Sequence, residues 1–279
     1  MRSADQSNLH IGCQSWGYDD WITKPGGETV FYPRGTKANE MLELYSAVFD
    51  TIEVDSTAYG TPSGPTVENW FEKTPEGFKF SLKAPRRITH DLPLAPSMYS
   101  EMDEFVDRAA GLREKLGVIL IQLPASFEST KERARNFRAF IRRLPTGFRY
   151  AVEFRSPGWF IDWTYDLLAA NSVALALVEG PWVPRDVMFT AIPQLPQKHA
   201  YVRLMGIRDL KVFDRVQRPR DKVIGSWCEL LCGSAATEIY IYADNYFEGF
   251  APATVNKIMS VFNLKTRDPE FLEEQPSLF

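Results

Sequence analysis

Residues 51–59 read TIEVDSTAY. The run Thr51–Val54 is β-branched or apolar except for Glu53, and it breaks at once into small and polar residues. The same design recurs along the chain. It appears as FKFSLKAP with Lys83, VILIQLP with Gln122, YAVEFR with Glu153 and Arg155, YVRLMG with Arg203, and IYIYADN with Asp244 and Asn245. Continuous apolar runs of this length are the mark of strands buried on both faces, as parallel strands are. A polar residue at the far end of each run places chemistry where such strands end.

Working outward, eight strands are expected: 9–13, 51–54, 79–83, 118–123, 150–154, 173–177, 201–204 and 238–242. Between them lie amphipathic segments at 39–49, 65–73, 102–115, 130–144, 162–170, 225–232 and 253–262, with Asp162 and Thr254 as expected N-caps. Strand–helix alternation over about 250 residues predicts an α/β fold, a TIM (β/α)8 barrel in a single domain. Its expected limits are residues 9–265, after a flexible N-terminal segment 1–8 and before a C-terminal tail 266–279. An open doubly wound sheet is the alternative, and no dinucleotide-type glycine fingerprint follows any strand. Two stretches interrupt the rhythm. Residues 178–199 hold four prolines and are expected to form a long loop with little helix. Residues 206–220 carry five basic residues against two acids, and suit either a lid or a solvated loop.

The bulk composition narrows the function. Hydrophobic residues make up 44% and charged residues 24% of the 279 positions, with a net charge of -4. That balance disfavours a nucleic-acid partner without excluding a local basic patch. Three cysteines form no disulfide framework and fit a reducing compartment. With neither an apolar leader nor an 18-residue apolar run, the chain is expected to be cytoplasmic and to have no membrane partner. Periodicity leaves the oligomeric state open.

At the expected barrel mouth, Glu53 and Glu153 are candidate catalytic carboxylates, and His90 is the histidine best placed for proton transfer. The competing reading makes the glutamates members of buried ion pairs. Gln14, Trp16, Tyr59, Lys83, Arg86, Gln122, Arg155, Trp159, Arg203, Asp244 and Asn245 are candidate ligand-binding residues. Arginine forks suit carboxylate or phosphate, so a small anionic ligand is the leading expectation. No metal ligands are assigned and no cofactor is expected. A carboxylate-bound Mg²⁺ or Mn²⁺ stays open as an alternative.

The order and spacing of IGCQSWGYDDW, FYP at 31–33, IEVDSTAYGTP, ENWFEKTPEGFKFSLKAPRRITH, VEFRSPGWF, YVRLMG and YADNYFEGFAPATVNKI resemble the YecE-like family of domains of unknown function, a TIM-barrel group. The resemblance runs from about Ile11 to Phe262 and implies a barrel with a polar C-terminal mouth. The chain departs from the family where T-S-G-W is usual (Gln14, Ser15 and Trp16 here) and where N-S-T-F-Y is usual (Asp55 to Tyr59). It departs again at the asparagine pair (Asp244 and Asn245) and at a seventh-strand histidine, which is Met205. Such a mouth suits a hydrolase or lyase acting on a small anionic or phosphorylated molecule. The alternatives are an endonuclease-like phosphodiester hydrolase, a glycoside hydrolase and a non-catalytic ligand-binding barrel.

Overall fold

A computed structural model describes residues 8–192, 198–234 and 236–266. Almost all of the expected flexible segment 1–8 and tail 266–279 lies outside the described residues. Eight parallel strands, β1 (Leu9–Gln14), β2 (Thr51–Val54), β3 (Lys79–Lys83), β4 (Leu116–Gln122), β5 (Arg149–Glu153), β6 (Val173–Glu179), β7 (His199–Leu204) and β8 (Glu238–Ala243), close in chain order into a barrel. This is the expected TIM-type α/β architecture, with strand bounds within two residues of those read from the sequence.

The helices around it are α1 (Met41–Val48), α2 (Gly64–Glu72), α3 (Tyr99–Ala109), α4 (Lys131–Arg143), α5 (Asp162–Ala170), α6 (Arg185–Ala191), α7 (Asp221–Cys232), the short α8 (Asn245–Glu248) and α9 (Ala251–Val261). Helix α4 shows how sequence sets a helix and its packing face. The Thr130 hydroxyl caps its start by accepting from the Arg133 amide at 3.3 Å. Phe137, Phe140 and Ile141, spaced three and four apart, are its buried residues.

Three local expectations are corrected. Asp162 is the first residue of α5 rather than its cap, and Ile161 occupies the N-cap without a side-chain bond. Thr254 lies inside α9, which begins at Ala251 beside Pro252, and its hydroxyl donates to Glu248 at 2.8 Å. The proline-rich stretch after β6 holds a real helix, α6, because Pro184 sits at its N-cap, where a missing N–H costs nothing.

Alternate strand residues point into the barrel. Val118, Leu120, Ala151, Ala176, Tyr201 and Tyr240 belong to an interior cluster separate from the shell between strands and helices. Tyr242 joins it, with its hydroxyl 2.7 Å from that of Thr51 and 2.9 Å from that of Ser81. The lower barrel is therefore a packed core, as this architecture requires. Above that packing, the next inward positions are polar.

Candidate functional site

Continuing the inward phase by two residues brings Gln14, Glu53, Lys83, Gln122, Glu153 and Arg203 to the C-terminal end of six strands. Strand register sets Gln14 beside Glu53 and Gln122 beside Glu153. Arg203, from β7, reaches across the barrel axis. Its Nε and Nη2 donate to Glu53 at 2.9 and 2.7 Å, while Nη1 donates to Glu153. Tyr201, two residues earlier on the same strand, donates its hydroxyl to Glu53 at 2.6 Å. Arg155 donates from Nε to Glu153 at 2.7 Å. Glu53, Glu153 and Arg203 are all buried, at 0%, 0% and 1% exposure.

Charges this deep persist only when paired and hydrogen-bonded. Burial pushes the Glu153 carboxyl up, but Arg203, Arg155 and Lys83 together outweigh it and hold it down at about 2. The opposite balance acts on Arg203: burial lowers it, and the two glutamates raise it well above its ordinary value. Two carboxylates held on one guanidinium are not an open acid–base pair. The geometry follows the ion-pair reading of these residues.

The groups left partly exposed at the strand ends are different ones. Arg155 keeps 17% of its side chain exposed, and its guanidinium lies 3.5 Å from the ring centroid of Trp182. Braced through Nε and by that stack, it has no hydrogen bond from either Nη to another described residue. Lys83 is partly buried and makes no ion pair within 4 Å among the described residues. Burial, then repulsion from Arg203, brings its ammonium down to about 8, with Glu153 and Glu53 opposing the shift. Its backbone is pinned on both sides by the Thr57 hydroxyl, at 3.0 and 2.7 Å. Asp55, just past β2, has its carboxyl raised by burial and by the charge of Glu53.

His90 sits beside them with both ring nitrogens engaged. The Gln122 amide nitrogen donates to the Leu123 carbonyl at 3.0 Å, which fixes the amide's orientation. That nitrogen also lies 3.3 Å from His90 Nε2, so Nε2 accepts and Nδ1 carries the proton toward the Thr89 hydroxyl at 2.9 Å. Burial, reinforced by Arg86 and Lys83, lowers the imidazole to about 4. His90 is thus neutral at neutral pH, which fits an acceptor and not an acid.

The other candidates take different roles, and of these Asp244 is near enough to feel the charges of Arg203 and Glu53. Trp159, read as ligand wall, is buried at 1% exposure between Phe127 and Phe154 and donates Nε1 to the Phe127 carbonyl at 2.7 Å. It is a core residue because its hydrogen-bonding edge is satisfied inside the shell. Tyr59 is 85% exposed on the outer rim. Trp16 packs edge-on against Trp70 of α2, and Arg86 is exposed beside the His90 turn. Asp244 and Asn245 are buried and serve backbone: Asp244 accepts from the Tyr246 amide at 3.0 Å, and Asn245 from the Ala251 amide at 2.9 Å.

Sequence reading missed the tyrosine on Glu53 and the tryptophan under Arg155. Tyr201 carried a usable signal, since it is in inward phase with Arg203. Trp182 carried none beyond its place in a loop after a strand. A cavity of about 760 Å³ also opens at the N-terminal face, near Arg149, His199 and Glu238. There Arg149 lies 2.7 Å from Glu238, and His199 Nε2 donates to the Tyr150 carbonyl at 3.0 Å. Among the described residues, no group of three or more His, Cys, Asp or Glu is arranged to hold a metal ion. No described helix is long and apolar enough to cross a membrane.

The family described as protein of unknown function DUF72 matches residues 10–277. The chain belongs to the DUF72 family. Among DUF72 relatives, UPF0759 protein YecE of Escherichia coli (strain K12) is 30% identical over 152 residues, covering 54% of this chain and 50% of that protein. The match thus spans about half the length of that relative. UPF0759 protein YunF of Bacillus subtilis (strain 168) is 27% identical over 207 residues, or 71% of this chain and 70% of that protein. A DUF72 family protein from Thermotoga maritima MSB8 superposes with a TM-score of 0.74 at 23% identity, covering 91% of this chain and 99% of that one. At that identity the likeness is one of fold. This DUF72 chain and that structure share the barrel.

Proposed function

We propose that the C-terminal mouth binds a small anionic molecule, carboxylate or phosphate in kind, and that the protein acts on it as a lyase or hydrolase. One observation carries this reading: Arg155 is braced through Nε and by Trp182, while its side chain stays 17% exposed and neither Nη bonds to a described residue. A guanidinium held this way offers a planar two-donor fork, the arrangement that recognises carboxylate and phosphate. Lys83 adds a second cation beside it. The Glu53–Arg203–Glu153 cluster beneath would act as a rigid, preorganised floor.

The same cluster supports a second reading, a ligand-binding barrel without turnover, since both glutamates are already paired. An endonuclease-like role draws less support. Arg218 of the basic loop pairs with Asp209, and Arg215 with Asp214, which leaves fewer cations for a phosphodiester track. A glycoside hydrolase needs two working carboxylates roughly 5 to 9.5 Å apart, and neither glutamate here is unpaired.

Calorimetric titration with inorganic phosphate, sulfate, pyruvate and citrate tests the reading. At least one anion is expected to bind wild type, and Arg155→Gln is expected to weaken it by about tenfold or more with folding retained. No binding by wild type, or binding that Arg155→Gln leaves unchanged, would contradict it.

A further inference from the structure

We propose that Lys83 is a covalent catalytic residue that forms an imine with a small aldehyde or ketone carrying a carboxylate or phosphate group. The proposal rests on the anion-binding reading above and adds the substrate's second functional group. Four observations carry it. Lys83 is in phase with Ser81, whose hydroxyl lies inside the barrel against Tyr242, so its side chain enters the mouth from β3. The obvious partners for an ammonium, Glu53 and Glu153, are already held by Arg203, Tyr201 and Arg155, and Lys83 makes no ion pair among the described residues. It is partly buried, so water is restricted while a ligand can still reach it. Arg155 is close enough for its charge to be felt at Lys83, and both are felt at His90.

The electrostatics agree with the geometry. A lysine brought down to about 8 is unprotonated in about a tenth of molecules at pH 7, against about one in three thousand for an ordinary lysine. The step is a condensation. The Nζ lone pair attacks the carbonyl carbon, a C–N bond forms, and the π electrons move to oxygen, which takes up a proton. The carbinolamine then loses a proton from nitrogen and its hydroxyl as one water, leaving C=N. Overall, one amine and one carbonyl give one imine and one water, with no oxidant or reductant. Asp55, whose carboxyl burial and Glu53 raise, is the nearby group suited to carry the proton in and out. An iminium is an electron sink, so the lyase branch of the proposed function is the one this lysine fits.

Borohydride trapping tests the proposal. The full chain would be incubated with pyruvate, glyoxylate or dihydroxyacetone phosphate, and separately with neutral acetone, then reduced and mapped by mass spectrometry. The expected result is one saturable adduct on Lys83, formed at least about tenfold faster at pH 7 than on surface lysines. Its rate should rise with pH around a midpoint of about 8. Lys83→Arg should remove the adduct, and Arg155→Gln should slow the anionic probes but not acetone. If the anions bind and Lys83 stays unlabelled by every probe, the imine is overturned and the anion site stands. If acetone labels Lys83 and no anion binds, the imine stands and the anion reading falls. If nothing binds or labels, both fall.

Discussion

Arg203 is the residue on which the interior of the mouth depends. It satisfies Glu53 with two donors and Glu153 with a third, and none of the three meets appreciable solvent. This has a direct consequence for acid stability. Glu153 is held at about 2, below its unfolded value, so its contribution is fully present above that unfolded value, near 4.5. It is lost as pH falls through 2. His90, lowered to about 4, acts in the same direction, since folding favours its neutral form and protonation below 6.5 opposes it. The expected loss from Glu153 alone is on the order of 3 kcal/mol across that window. Urea titrations at pH 6, 4 and 3 check this: wild type should lose stability steeply, and Glu153→Gln should start lower and lose less. An equal loss in both proteins would show that Glu153 does not supply the linkage. Both glutamates were legible in the sequence because each interrupts an apolar run. Their shared arginine was not, because pairing across a barrel depends on side-chain reach from β7 to β2 and β5, and no spacing in the chain encodes that.

Strands were the most readable elements, since their apolar runs are continuous and each ends in a turn. Helix starts were read less well. At Asp162 the residue type suited a cap, but Ile161 already had the extended backbone that the cap position needs. Pro184 looked like a breaker, and it opens α6 instead. At the β1–β2 contact the elements approach so closely that only glycine fits. A Cβ on Gly12 would lie 2.1 Å from the Thr51 carbonyl oxygen and 3.0 Å from the Tyr45 hydroxyl. That hydroxyl is itself engaged, accepting from the Cys13 amide at 2.8 Å and donating to the Thr51 carbonyl at 2.9 Å. Gly12→Ala should therefore cost at least about 2 kcal/mol or abolish soluble folding, because Thr51 belongs to the barrel wall and Tyr45 of α1 is held by two hydrogen bonds. A thermal melt within a degree of wild type would mean that β1 and β2 can part without penalty.

Across the whole molecule, closure of the barrel brings residues far apart in sequence into one buried cluster: Glu53 and Arg203 are 150 positions apart, and Glu153 and Arg203 are 50. This meeting underlies the proposed anion site on Arg155, and it engages both glutamates while Lys83 makes no ion pair among the described residues. The test that reaches it most directly is a double-mutant cycle in urea with Glu53→Gln, Arg203→Met and the two combined. Removing Arg203 alone should cost about 3–5 kcal/mol by leaving buried carboxylates uncompensated. The two changes should couple by about 2 kcal/mol or more, with the double variant more stable than the sum of single losses allows. Additive losses, with coupling near zero, would mean that the two side chains do not meet and that the strand tips form no shared cluster.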